Sequence, residues 1–282
     1  MRVSQLNFYP LKSGRGISLN EAEIAAEGIP GDRRMMVTDP TGHFITQREL
    51  QALAQLQVTP GDGGFRFLIE GKGEIFVEQP PRDRRMDVAV WKSIVNAAVA
   101  DDAVNETLSG WLGRDVRLVF FDDQAKRTAS AEWAGLDSPV TFSDGYQVLV
   151  TTTGSLAALN ADMQRNGEGS VGMERFRPNI VLDHEEPWAE DNWEGIEISG
   201  IRFDFVKPCA RCIMTTQDQA AGSREVPSPI PAMGRIRMSA DRRVPGPLFG
   251  WNAVPRDTGR IRVGDEATVI AEREAWAIKR RG

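Results

Sequence analysis

The feature that most narrows the fold of this chain is its punctuation. Short apolar runs recur along its 282 residues, and clusters of Gly, Pro and Asp cut nearly every one of them short. Residues 3–9 alternate loosely and stop at Pro10, and residues 34–38 stop at the turn Asp39-Pro40-Thr41-Gly42. Residues 65–70 and 74–78 alternate on either side of Gly71-Lys72-Gly73, the signature of a hairpin. Residues 116–121, 148–152, 180–182, 196–198, 202–206 and 267–270 are further strand candidates. Helical spacing is confined to a few places. Leu50, Leu53 and Leu56 suit one short face within 45–58. Ala103, Val104, Leu108, Trp111 and Leu112 predict a helix over 101–112 stopped by Gly113, and 155–163 predicts another with Ser155 as its N-cap. Strands and helices do not alternate in βαβ fashion, so a doubly wound parallel sheet is not expected. The expected class is mainly β with α elements (α+β). The polar stretch 122–138 reads as a linker between residues 1–121 and 139–282.

Composition bounds what such a chain can do. Hydrophobic residues at 41% and charged residues at 26% are ordinary globular usage, enough for a core without staples. The 34 Lys and Arg against 40 Asp and Glu leave a formal charge of −6. That excludes a generally basic face, and so argues against a nucleic acid or an anionic membrane surface as partner, while leaving room for a local basic pocket. No stretch approaches the roughly 20 apolar residues of a membrane helix, and residues 1–14 hold no signal-peptide run. Two cysteines cannot build a disulfide framework. A cytoplasmic, reducing location is expected, with both thiols free.

Those cysteines stand in Lys207-Pro208-Cys209-Ala210-Arg211-Cys212-Ile213-Met214. Neighbouring Lys and Arg favour thiolate, which is a nucleophile, a redox partner or a soft-metal ligand. Structural zinc would need two further ligands, and the two histidines, His43 and His184, are far apart and outside finger spacing. Attachment of c-type haem fails because Ile213, not His, follows the motif. A thioredoxin-like dithiol wants the motif to open a helix in a βαβ unit, whereas a strand precedes it here. Two buried, inert cysteines are the plain alternative.

Other segments share one order along the chain: Tyr9-Pro10-Leu11-Lys12-Ser13, Gly31-Asp32-Arg33-Arg34, Phe142-Ser143-Asp144-Gly145-Tyr146, Arg175-Phe176-Arg177-Pro178-Asn179-Ile180, the cysteine segment, Pro247-Leu248-Phe249-Gly250-Trp251-Asn252 and Ile261-Arg262-Val263-Gly264-Asp265. In order and spacing this set resembles the MOSC domain family, with YcbX-like proteins and mitochondrial amidoxime-reducing components among its members. The resemblance implies a MOSC β-barrel domain preceded by a smaller β-barrel-like N-terminal domain. It also implies a molybdenum–molybdopterin cofactor whose metal is held by the second cysteine, Cys212, with Cys209 a neighbour.

The resemblance further places Lys12, Ser13 and Arg33 from the first part, and Arg177, Asn179, Ala210, Arg211 and Asn252 from the second, around the cofactor and its phosphate. Asp144, Gly145 and Tyr146 are expected to line the pterin. Arg177 is the least ordinary of these by its own context, because it leads straight into an apolar strand where an unpaired charge is costly. Arg15 and Arg34 read as surface charges. Among the acidic residues Asp183, Glu185, Glu186, Glu190 and Asp191, Glu186 is the candidate proton donor, although a solvated acidic loop is the ordinary reading.

An iron–sulfur cluster needs four thiolates, so this chain is not expected to hold one. Electrons would then come from a separate ferredoxin-, flavoprotein- or cytochrome-type protein. The function implied is reduction of small N-hydroxylated substrates: hydroxylamines, amidoximes or N-hydroxylated bases. A carrier of molybdenum cofactor or sulfur, without turnover of its own, is the alternative.

Overall fold

A computed structural model describes residues 1–279. Its larger sheet has eight strands in the order Ala267–Glu272, Trp193–Ile198, Ile201–Ala210, Leu248–Pro255, Val148–Thr152, Ile180–Asp183, Arg2–Phe8 and Ile17–Leu19. The sheet curls until its ends meet. Val3 N–H donates to Asp265 O at 2.9 Å, Gly264 N–H to Val3 O at 2.8 Å, and Ala267 N–H to Met1 O at 2.9 Å. These bonds close seven of the strands into a barrel, leaving Ile17–Leu19 outside the ring. Closure removes the exposed edges that an open sheet of this length would carry. Inward-facing Leu6, Val150, Ile180, Ile196, Phe203 and Trp251 fill the interior.

One strand pair of this sheet is parallel, Val148–Thr152 beside Ile180–Asp183. The helix Thr153–Arg165 makes the crossover that parallel strands require. Its N-cap is Thr152, whose hydroxyl accepts from Ser155 N–H at 3.2 Å, so the expected cap at Ser155 is displaced by three residues. Ser155 instead donates its hydroxyl to the buried Glu190 carboxylate at 2.8 Å.

The smaller unit stacks two antiparallel sheets. Met35–Thr38, Arg117–Phe120, Ser93–Val99 and Arg85–Val90 form one; Gln57–Gly61, Gly64–Ile69 and Gly73–Glu78 form the other, with the expected hairpin at Gly71 to Gly73. The helix Asp102–Leu112 packs Leu108 and Leu112 into the shared core with Leu53, Phe67 and Leu118. It ends at Gly113 in the left-handed conformation (φ 67°), where glycine carries no Cβ penalty. Buried Asn105 accepts from Leu118 N–H at 2.9 Å and donates to Ala100 O at 3.0 Å, fixing helix to sheet.

The fold is mainly β with few helices. In space, however, the first residues do not stay with the smaller unit. Arg2–Phe8 is a barrel strand, and Glu21–Ile24 pairs with Gly259–Arg262. Residues 9–16 and 31–34 therefore run between the units. The stretch 122–138 contains the short helix Ala131–Ala134, and Arg127 within it donates to the carbonyls of Thr141 and Ser143 at 2.7 and 2.6 Å.

Candidate functional site

At the junction of the two units lies a cavity of ≈ 330 Å³. Its wall is built from strand ends and from the loops that leave them. Tyr9, at the end of the first barrel strand, is 4% exposed. The guanidinium groups of Arg33 and Arg177 lie over its ring, 4.2 and 4.4 Å from the centroid. Burial, partly offset by Arg177 and Arg33, pushes the Tyr9 hydroxyl up to about 12, so it stays protonated and donates to Pro178 O at 3.1 Å.

Arg33 is ion-paired with buried Asp32 and donates to Asn179 Oδ1 at 3.0 Å and Arg177 O at 3.3 Å. Arg177 donates to Gly14 O at 2.7 Å and Gln219 Oε1 at 3.1 Å. Burial above all, with repulsion from Arg33, pulls its ionisation down to about 10. Asn179 Oδ1 also accepts from Leu149 N–H at 3.2 Å, so this one amide ties Arg33 to the barrel.

Lys12 is buried and donates to Phe142 O at 2.9 Å and to Asp144. Burial lowers its pKa, and Asp144 opposes the shift. Confinement disfavours the Asp144 charge, but Lys12, Arg48 and Arg33 outweigh it and hold the carboxyl well below the usual carboxylate range. The Asp144 side chain is 63% exposed and Lys12 only 5%, so the cations rather than desolvation set that carboxylate. Gly145 and Tyr146 continue this wall.

The long strand Ile201–Ala210 delivers the opposite side. Cys209 and Ala210 end it, Arg211 follows, and Cys212 precedes the 3-10 turn Ile213–Thr216. Both thiols are free and half-buried. Arg211 donates to Cys209 Sγ at 2.9 Å and to Phe176 O at 2.7 Å. Arg48 donates to Cys212 Sγ at 3.4 Å. The turn is held by Arg175, which donates to Thr215 O at 2.9 Å. Asn252, on the neighbouring strand, is anchored to Lys207 O at 3.1 Å.

All the expected cofactor contacts thus face one space: Lys12, Ser13, Arg33, Asp144, Gly145, Tyr146, Arg177, Asn179, Ala210, Arg211 and Asn252, together with Cys212. Glu186 does not, and its expected role as proton donor is corrected here. It is exposed on the loop beyond Asp183, while Asn179 at the other end of the same strand lines the cavity. At about 3.3 Å per residue the intervening strand alone carries it more than 10 Å away. Glu190 and Asp191 are buried structural groups rather than a solvated acidic loop. Glu190 accepts from Thr152 and Ser155, and Asp191 pairs with Arg237 at 2.8 Å and accepts from Trp251 Nε1 at 2.9 Å.

Thr46, Arg48, Trp91, Arg175 and Met214 also line the cavity and were not singled out from the sequence. Arg175 stood within a quoted motif, and Arg48 and Trp91 lie in stretches that carry no motif at all.

The balance of charge defines what this space can hold. Among the described residues, six cationic side chains line it (Lys12, Arg33, Arg48, Arg175, Arg177 and Arg211) against the single carboxylate of Asp144. Two buried polar atoms on the wall, Arg211 Nε and Ser143 Oγ, have no partner. Both facts call for an anion rich in acceptor atoms. Among the described residues no three His, Cys, Asp or Glu side chains gather as a metal cage.

Comparison with known proteins agrees with that geometry. The MOSC N-terminal beta barrel domain matches residues 1–115, and the MOSC domain matches residues 137–268. The chain belongs to the MOSC family. Among similar curated proteins is mitochondrial amidoxime-reducing component 1 of Danio rerio, 28% identical over 93% of this chain and 83% of that protein. The human component 1 is 28% identical over 96% and 83%, and the Bos taurus component 2 is 28% identical over 93% and 81%. The MOSC match begins at residue 137, yet the barrel of this MOSC protein is closed by residues 1–8, so the two matched regions share one wall of the cavity.

Proposed function

We propose that this protein is a molybdenum-cofactor-dependent oxidoreductase that reduces N-hydroxylated substrates with electrons from a separate carrier protein. The observation that carries the reading is a pair of half-buried thiols, Cys209 and Cys212, facing a cavity otherwise dominated by fixed cations, with the family resemblance choosing Cys212 of the two. That pairing suits a cofactor with a soft metal at one end and a phosphate at the other. Cys212 Sγ would ligate the metal. Lys12, Ser13, Arg33, Arg177, Asn179 and Arg211 would hold the phosphate and the polar edge of the pterin, with Asp144, Gly145, Tyr146, Ala210 and Asn252 along its faces. Relatives named for amidoxime reduction support the substrate class. Free thiols suit a reducing, cytoplasmic setting.

When bound, the cofactor supplies a redox-active metal that takes and gives electrons. The chain supplies the rest. Cleaving an N–O bond to amine and water consumes two electrons and two protons, so the site must hold protons as well as charge. Lys12 Nζ donates to Phe142 O and to cavity-facing Asp144, which fixes its charge at the wall. Arg48 and Arg211 keep the two sulfurs in hydrogen-bonded, electropositive surroundings.

The test is metal and pterin analysis of protein from a molybdenum-sufficient host, with Cys212→Ser and Cys209→Ser beside it. The reading expects near-equimolar molybdenum in the wild type, loss in Cys212→Ser and retention in Cys209→Ser, with benzamidoxime reduced by a reduced dye. Folded wild-type protein free of metal and pterin refutes it. Bound cofactor without turnover refutes the reductase part and favours a carrier.

A further inference from the structure

Trp91 is the cavity residue that neither the fold nor anion binding calls for. It opens the two-residue turn between Arg85–Val90 and Ser93–Val99, where Val90 pairs with Ser93. Its φ is 55°, the left-handed conformation that tight hairpins give to Gly, Asn and Asp. A bulky aromatic there is an outlier, and burial does not compensate it, since Trp91 is 47% exposed. Strain of this kind persists where neighbours enforce it, and it gathers at functional sites. Three neighbours do so: Phe44 at 5.1 Å between ring centroids, Asp144 Oδ1 accepting from the indole Nε1 at 3.3 Å, and the Arg48 guanidinium 4.8 Å from the ring. Arg48 is the same residue that donates to Cys212 Sγ. A flat, solvent-facing aromatic surface is thus joined to the sulfur through a single flat cation.

We infer that Trp91 and Arg48 form a stacking clamp that selects planar, conjugated, uncharged substrates for the reaction at Cys212. The identity of the reacting group rests on the reductase reading; the stacking does not. A planar ring gains dispersion and quadrupole contact against the indole and the guanidinium. An aliphatic substrate with the same reacting group gains little of it. The fixed positive charge of Arg48 disfavours a cationic ring, while its N–H groups face inward, where the oxygen of an N–O group can accept. Trp91 and Arg48 are specificity residues here, acting through substrate position.

The experiment uses holoenzyme and a matched pair, benzamidoxime and acetamidoxime. Trp91→Gly is the chosen variant because Gly takes φ 55° without strain, so the turn is preserved; thermal melting confirms it. The expected result is a fall of about fivefold to tenfold in the ratio of kcat/KM values, benzamidoxime over acetamidoxime, the size of one aromatic contact. The loss sits mainly in KM, and Trp91→Phe, which keeps a ring, restores the ratio. An unchanged ratio in Trp91→Gly overturns the clamp. A second readout needs no turnover: benzamidoxime added to oxidised holoenzyme without reductant quenches tryptophan fluorescence saturably, and Trp91→Gly abolishes that quenching. Quenching that survives the substitution overturns the clamp. Saturable, Trp91-dependent binding by an enzyme that reduces neither compound refutes the reductase reading and leaves the clamp standing.

Discussion

Replacing Arg177 by Met separates binding from folding at this site. Arg177 is 8% exposed, and burial pulls its ionisation from the ordinary guanidinium range down to about 10. At about 1.4 kcal/mol per unit, holding the charge costs the fold about 3.5 kcal/mol. The pKa is depressed, so the stability it gives is present above the unfolded value and lost as pH falls through about 10. At pH 7 the whole cost therefore stands. Against it, the hydrogen bonds to Gly14 O and Gln219 Oε1 return about 1 kcal/mol each, and the contact with Tyr9 about another. The two sides nearly cancel. Met keeps most of the apolar stem, so Arg177→Met should melt within about 3 °C of wild type. Anion binding has no such offset, since a charge-assisted hydrogen bond is worth about 1.5–3 kcal/mol. The affinity of cofactor-free protein for inorganic pyrophosphate should drop about 10- to 150-fold. Thermal shift against pyrophosphate concentration reads both quantities, because an anion bound by the native state raises Tm with the logarithm of its concentration over Kd. A Tm fall of about 8 °C or more with unchanged pyrophosphate affinity would refute the reasoning and make Arg177 a structural strut.

Three further outcomes are expected. Glu186→Gln should leave kcat within twofold of wild type in a dye-coupled assay, since its carboxylate stands on the far loop; a larger loss would return it to the mechanism. Glu190→Gln should raise Tm by about 2–4 °C at pH 7.5 and lose that gain near pH 4. Burial raises the Glu190 pKa, so the stability it gives is complete below 4.5 and falls away as pH rises through the folded value. Asp122→Asn should cost about 1–2 kcal/mol in urea unfolding, because half-buried Arg85 loses its charged partner and keeps only its bonds to Asn96 and Arg82 O. In the wild type the Arg85 guanidinium holds Asp122 below its usual 3.8, so that stabilisation is present at neutral pH and lost only in acid.

The β-rich class was legible because turn residues and alternation report local geometry, and the hairpin at Gly71 to Gly73 is an instance. Leu248–Pro255 gave no such signal. Nearly all its residues are buried, so apolar and polar positions do not alternate and the period-2 pattern is lost. Membership of Arg2–Phe8 in the barrel was equally hidden. Within the ring its partners are residues 180–183 and 265, and no local pattern encodes a pairing across more than 170 residues. The cap at Ser155 went astray for a related reason. Thr152 and Ser155 are both good caps by composition, and the buried carboxylate of Glu190 decides between them by taking the Ser155 hydroxyl.

The site was legible where motif order stood in for contact, and opaque where backbone shape does the work. Seven described non-glycine residues have positive φ, and four of them line the cavity: Ser13, Arg33, Trp91 and Arg177. Each such conformation costs about 1–3 kcal/mol, and together they outweigh any one ion pair of the wall. Folding alone would favour Gly at these positions. Left-handed turns at Ser13, Arg33 and Arg177 instead leave one buried and one half-buried cation over one tyrosine and fold the chain back on Gly14. Nothing in the amino-acid order marks those angles, because Arg is as common in extended loops as in strained ones. Concentrating strain and like charge around one cavity makes sense only if a ligand relieves both, and six cations facing one carboxylate state the sign of that ligand.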